Sequence, residues 1–189
     1  MRETGGWWCT GPGQGSGMLG GTMELPLLAC VDVDYREVGA VAAAILFLDW
    51  STADALAEHV VKVEQVAPYR PGAFYERELP CILAVLARSR WPLATVVVDG
   101  HVWLGDGVPG LGAHLYEALG RRTPVVGVAK SPFYGAPAVE MRRGDSTRPL
   151  YVTAVGVELA IAADNIRRMH GVHRLPTLLK RVDRLCRDG

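Results

Sequence analysis

No two of the four cysteines, Cys9, Cys30, Cys81 and Cys186, show the C-x-x-C spacing of a metal or redox motif. A zinc ribbon, a thioredoxin-like centre and a disulfide framework are thereby set aside, and a reducing cytoplasm is the expected compartment. The first 21 residues also lack an apolar run long enough for a signal or membrane segment, and no membrane partner is expected. Net charge is absent too: 20 Lys and Arg balance 20 Asp and Glu, which argues against a uniformly basic nucleic-acid surface. The balance hides an asymmetry. Residues 1–120 hold 7 basic against 14 acidic side chains and residues 121–189 hold 13 against 6, a division that suits either a joint metal and phosphate site or two solvated faces. With 49% hydrophobic residues in 189, one core is affordable. The opening MRETGGWWCTGPGQGSGMLGG is Gly-rich, so residues 1–22 are expected to be disordered and residues 23–189 to form a single, monomeric domain.

The apolar runs give the fold class. LPLLACVDVDY, VGAVAAAILFLDW and EHVVKVEQV read as three successive strands, an antiparallel meander. A helix is expected from Phe74, with Pro80 delaying or bending its hydrogen bonding. ATVVVDG and PVVGVAK read as buried strands on either side of the helix GLGAHLYEALGRR. A hairpin turning at Gly144 and Asp145 follows, then the helices ELAIAADNIRRM and LPTLLKRVDRLCR. The order predicts an α/β fold whose mixed central sheet, a meander plus parallel strands, is flanked by helices. Ligands on such sheets gather beyond the carboxyl ends of the strands, where Asp32, Asp99 and Lys130 fall.

Glu78 is the discordant residue. On a helix from Phe74, positions 74, 78, 81, 82 and 85 share one face and read Phe, Glu, Cys, Ile, Val. Glu76 lies roughly 200° away, by ~100° per residue, and faces water. A carboxylate aimed into an apolar face costs several kcal/mol unless a cation or strong hydrogen bonds meet it. One partner is an internal ion pair, for example with Lys130. The other is a hard cation shared with Asp32 and Asp99, since an oxygen-rich set suits Mg²⁺ or Mn²⁺ and brings phosphate chemistry within reach.

The segments CVDVDY, PYRPGAFYERELP, VVVDGHVWLGDGVPGLGAHL, TPVVGVAKS and HRLPT resemble, in order and spacing from Ala29 to Asp183, those of the endonuclease V family. The resemblance implies a ribonuclease H-like fold and a Mg²⁺-dependent enzyme, with Mn²⁺ as substitute. Such an enzyme cuts DNA or single-stranded RNA beside deaminated bases, chiefly inosine, at the second phosphodiester 3′ to the lesion, in nucleic-acid repair. It assigns Asp32, Glu78 and Asp99 to the metal and Lys130 to catalysis. It places Pro68, Tyr69, Arg70 and Pro71 on a wedge whose Tyr69 stacks into the gap left by a displaced base; Gly72, Gly100 and His101 are further expected nucleic-acid contacts, with His101 read alternatively as an exposed loop histidine. Stacking of an aromatic on a base contributes ~1–3 kcal/mol, and two prolines stiffen the tip beforehand.

Three departures separate this chain from the family pattern. Gly105, Asp106 and Gly107 stand where a His-Pro-Arg run is usual, Ala154 and Val155 or Gly156 and Val157 replace a Gly-His pair, and the N-terminal helix gives way to the Gly-rich opening. They raise an alternative, a weakened or inactive member that binds lesions without cutting. A phosphohydrolase of small phosphoesters is a third class. Among the remaining polar residues, Asp34 reads as a solvated strand exit and His114 as a structural histidine. His170 and His173, from the C-terminal helices, are candidates to replace the missing histidine. Arg142, Arg143 and Arg148 suit either phosphate contacts or solvated turns.

Overall fold

The structure, a computed structural model, describes residues 27–189. The expected disorder of residues 1–22, the domain start at 23 and Cys9 therefore lie outside the described residues. Three strands open the fold: β1 (Leu27–Tyr35), β2 (Ala40–Phe47) and β3 (Ala57–Val63). Helix α1 (Tyr75–Leu86), β4 (Leu93–Asp99), α2 (Leu111–Ala118) and β5 (Val125–Ala129) follow. The chain then forms β6 (Val139–Met141), β7 (Leu150–Val155), α3 (Leu159–Arg168) and α4 (Thr177–Asp188).

One sheet of seven strands runs β3-β2-β1-β4-β5-β7-β6. The meander is as expected, with β1 antiparallel to β2 and β2 to β3, while β1, β4 and β5 are parallel neighbours at the centre. The sheet is covered on both faces, which is why β2, AVAAAILF, is buried at every position and shows no alternation. On one face Leu28, Cys30, Val97 and Val126 pack against Ile166, Leu178 and Val182 of α3 and α4. On the other, Ala29, Val31, Val96 and Val98 pack against Ile82, Val85 and Leu115 of α1 and α2. Cys30, Cys81 and Cys186 are free and buried. Among the described residues no helix is long and apolar enough to cross a membrane.

Two local expectations change. Helix α1 begins at Tyr75 with Pro80 inside it; the proline sits on the exposed side and forfeits only its own bond to the carbonyl of Glu76. The hairpin turns later than a tight two-residue turn requires. Met141 pairs with Leu150, so residues 142–149 form a longer loop whose Gly144, at φ +56°, packs against the carbonyl of Val172.

Candidate active site

Because β1, β4 and β5 run parallel, Asp32, Asp99 and Lys130 emerge at the same end of the sheet. Strand alternation puts Asp32 with Cys30, Asp99 with Val97 and Lys130 with Val128, all on the face covered by α3 and α4. These three side chains line one pocket, and Asp183 of α4 joins them there. Nζ of Lys130 donates to Oδ2 of Asp99 at 2.5 Å, and the Val33 amide donates to Oδ1 of Asp32 at 2.9 Å. Burial, the charge of Asp99 and, more weakly, that of Asp183 push the Asp32 carboxyl up to about 6. Burial opposes the charge of Lys130, but its bond to Asp99 and the attraction of Asp99, Asp32 and Asp183 together hold its ammonium above the usual range.

Glu78 approaches from α1, on the opposite face, and is 4% exposed. Cys81, Ile82 and Val85 surround it on the apolar stripe, but Phe74 at the start of that stripe is half exposed. Burial first, then the charges of Asp32 and Asp99, push Glu78 up to about 8. Its Oε2 is buried and accepts no hydrogen bond. Lys130 is committed to Asp99, so of the two partners considered for Glu78 the internal pair with Lys130 does not form. The guanidinium of Arg77 lies 3.9 Å over the ring of Tyr35 and only partly offsets the burial of its neighbour.

The donor chemistry fits a hard divalent cation: Asp32, Glu78, Asp99 and Asp183 offer carboxylate oxygens only, one of them orphaned, and their charges add to burial in raising the proton affinity of Asp32 and Glu78. Among the described residues no three Asp, Glu, His or Cys side chains stand gathered into a ready chelate. The carboxylates are neighbours in charge whose convergence on one ion requires side-chain adjustment.

Beside Asp99 opens a second, largely apolar cavity of about 340 Å³, bordered by Gly72, Phe74, Tyr75, Gly100, His101 and Phe133. Two glycines make its walls possible. Gly72, at φ +79°, follows Pro71 in a turn closed by the Ala73 amide on the carbonyl of Arg70 at 3.1 Å, the pattern of a type II turn. Tyr69 stands beside this turn, 62% exposed, and Arg70 pairs with Glu76 at 3.7 Å. Gly127 in β5 lets the chain after Asp99 cross over it: a Cβ there would lie 2.4 Å from the carbonyl of Gly100. The crossing segment is tied to β7 by the Val102 amide on Oγ1 of Thr153 at 2.8 Å.

His101 is fixed rather than free in its loop, with Nε2 3.0 Å from the Ser131 carbonyl and Nδ1 buried without a partner. His114 stacks on Tyr75 at 3.5 Å, in keeping with a structural histidine. Asp34 pairs with Arg36 at 3.0 Å. Arg143 is neither a phosphate contact nor a solvated turn charge; it is 7% exposed and donates to the carbonyls of Met169, Gly171 and His173. Nδ1 of His170 meets Oγ1 of Thr177 at 2.9 Å, and neither His170 nor His173 lines the carboxylate pocket. Gly105–Gly107 form a tight turn closed by the Leu104 amide on the Val108 carbonyl at 2.8 Å.

Asp183 is the residue that sequence reading missed. It looks like one of the surface ion pairs of α4, through Arg187 at 2.8 Å. The available signal is its place at the margin of the apolar stripe Leu178, Leu179, Val182, Cys186, the only acid there facing the sheet.

The family model of Endonuclease V matches residues 20–172 of this chain. Endonuclease V of Streptomyces avermitilis is 32% identical over 200 residues, covering 94% of this chain and 82% of the relative. A crystal structure of Endonuclease V from the same organism superposes with a TM-score of 0.71 at 27% identity, over 87% of this chain and 81% of that one. Ciona intestinalis Endonuclease V, in complex with a 23mer DNA containing an inosine followed by a ribo-adenosine, gives a TM-score of 0.73 at 17% identity, over 86% and 84%.

Proposed function

Because this chain belongs to the endonuclease V family, whose ribonuclease H-like fold it shares, we propose that it is a divalent-metal-dependent endonuclease of inosine-containing nucleic acid. It cuts DNA or single-stranded RNA at the second phosphodiester 3′ to the lesion, as a monomeric repair enzyme of the cytoplasm. The observation that carries the reading is the meeting of Asp32, Asp99, Lys130 and Asp183 in one pocket at the carboxyl ends of parallel strands, with an apolar cavity sharing Asp99.

Asp32, Glu78 and Asp99, with Asp183 as a fourth carboxylate, would hold Mg²⁺, or Mn²⁺ in its place. When bound, the cation supplies positive charge against the phosphate and makes a water more acidic. Lys130 acts as a fixed cation: paired with Asp99, its ammonium is held where charge grows on the phosphate oxygens. Tyr69 fills the gap left by the extruded base. That extrusion costs a few kcal/mol and is cheapest at a mismatched pair, which contributes selectivity. The cavity beside Asp99 takes the base against Phe74, Tyr75 and Phe133, while Gly72 and Gly100 keep backbone close to its edge.

The test is cleavage of an inosine-containing oligonucleotide with Mg²⁺ or Mn²⁺, with product ends mapped. A nick at the second 3′ phosphodiester, lost in Asp99→Ala, is expected; equal cutting by Asp99→Ala overturns the assignment. A second reading, binding without cutting, is favoured by the residues that stand where the family's histidines are usual, Gly105, Asp106 and Gly107 in one loop and Ala154 and Val155 in β7. Metal-independent, lesion-selective binding with no product in either ion would establish it.

A further inference from the structure

We propose that Tyr134 is a second stacking platform, which takes an unpaired nucleobase next to the extruded one, so that two tyrosines grip the strand from two loops. The proposal rests on the cavity beside Asp99 receiving the extruded base. Tyr134 is 100% exposed, and its ring makes no use of its apolar surface among the described residues. One exposed aromatic needs no explanation by itself. The setting of this one does.

Its neighbour Phe133 forms part of the cavity wall, edge-on to His101 with ring centroids 6.0 Å apart. The backbone leading to it is held from two sides: Ser131 by the ring of His101 at 3.0 Å, and the carbonyl of Lys130 by Nη2 of Arg174 at 2.5 Å. Pro132 and Pro137 restrict the loop, and Gly135 at φ +79° makes the sharp bend after the tyrosine. The wedge repeats these parts in Pro68, Tyr69, Pro71 and Gly72, also at φ +79°, and its Gly72 borders the same cavity. Two proline-stiffened, glycine-bent turns thus present exposed tyrosines around one cavity. A ring fixed in advance loses little freedom on binding, and every base offers a π-face to it. Phe133 already faces the cavity, so Tyr134, one residue further out, is placed for the adjoining nucleotide. The ligand is therefore a base of any identity, unpaired, in the strand that carries the lesion.

The experiment measures binding of fluorescein-labelled inosine oligonucleotides to the full chain with Ca²⁺ in place of Mg²⁺, for the unmodified protein, Tyr134→Ala and Tyr134→Trp. Abasic sites replace each nucleotide flanking the inosine in turn. Tyr134→Ala is expected to weaken binding roughly 5- to 100-fold with an unchanged melting temperature, and Tyr134→Trp to retain it. At one flanking position the abasic substitution should weaken the unmodified protein yet leave Tyr134→Ala unaffected; in Mg²⁺ the loss should appear in KM, not kcat. Unaltered affinity of Tyr134→Ala, or a loss equal at every abasic position, overturns the platform while the endonuclease reading stands. Binding that ignores inosine overturns the endonuclease reading and, since no register on the strand then remains, the placement of Tyr134 beside an extruded base with it. No binding of any strand overturns both.

Discussion

Lys130 and Asp99 meet at 2.5 Å across the ends of β5 and β4, which puts a cation against one of the carboxylates assigned to the metal. The pair is more than a third exposed on both sides, so water screens it and its contribution to folding is small. Its consequence is positional. The ammonium cannot swing to Glu78 without leaving Asp99, and it is oriented before any ligand arrives.

Lys130→Ala is accordingly expected to lower kcat on an inosine oligonucleotide by about 10²- to 10³-fold, the scale of removing one fixed electrostatic donor. The dissociation constant should change far less, and Lys130→Arg should recover part of the rate. Single-turnover cleavage against separately measured binding distinguishes the two. A kcat indifferent to Lys130→Ala would remove this residue from the mechanism.

Glu78 makes stability depend on pH in a direction opposite to that of a salt-bridged acid. Its folded value, about 8, lies above the ordinary 4.5, and that of Asp32, about 6, lies above 3.8. Between those limits the folded protein binds more protons than the unfolded chain, so stability falls as pH rises. The metal-free protein should melt highest near pH 4, lose several degrees on the way to pH 8, and lose more above pH 9, where the buried thiols of Cys30 and Cys186 keep protons that the unfolded chain gives up. Thermal denaturation in EDTA across that range checks it. Glu78→Gln should flatten most of the slope and raise the melting temperature at pH 8; a slope unchanged in this variant would show that Glu78 is not the proton site.

Asp183→Asn tests the residue that only the structure supplied. If this carboxylate shares the cation, the concentration of Mn²⁺ giving half-maximal cleavage should rise about tenfold or more, with little change in melting temperature. An unaltered Mn²⁺ requirement would return Asp183 to the surface ion pairs of α4.

The sheet and most of the site were legible because they rest on long apolar runs ended by acids. CVDVDY and VVVDG fix both the strands and where Asp32 and Asp99 emerge. The order β5-β7-β6 was not legible, since nothing in the short runs of β6 and β7 says that the second inserts between the first and β5. Arg143 read as a turn charge because its three carbonyl partners come from residues 169–173, which no local pattern connects to the hairpin. Asp183 was hidden for the opposite reason: α4 carries so many paired charges that one acid at the margin of its apolar stripe passes for another of them.

Gly127 shows how a glycine inside a strand controls a site it does not touch. A Cβ at this position would lie 2.4 Å from the Gly100 carbonyl, 2.6 Å from Oγ1 of Thr153 and 3.0 Å from the Val102 amide. None of these can yield cheaply, because two are backbone and the hydroxyl holds the Val102 amide at 2.8 Å. Gly127→Ala must therefore lift the segment that follows Asp99 off β5. Overpacking of this kind destabilises by about 1–3 kcal/mol, and here it also displaces Asp99 relative to Lys130 and opens the cavity wall at Gly100. Lower melting temperature and reduced kcat should appear together. Thr153→Ala serves as the control, since it removes the hydrogen bond while leaving the crossing room; it should lose stability with a smaller effect on rate. Were Gly127→Ala to keep both stability and rate, the close crossing of the Asp99 segment over β5 would not be what positions this carboxylate.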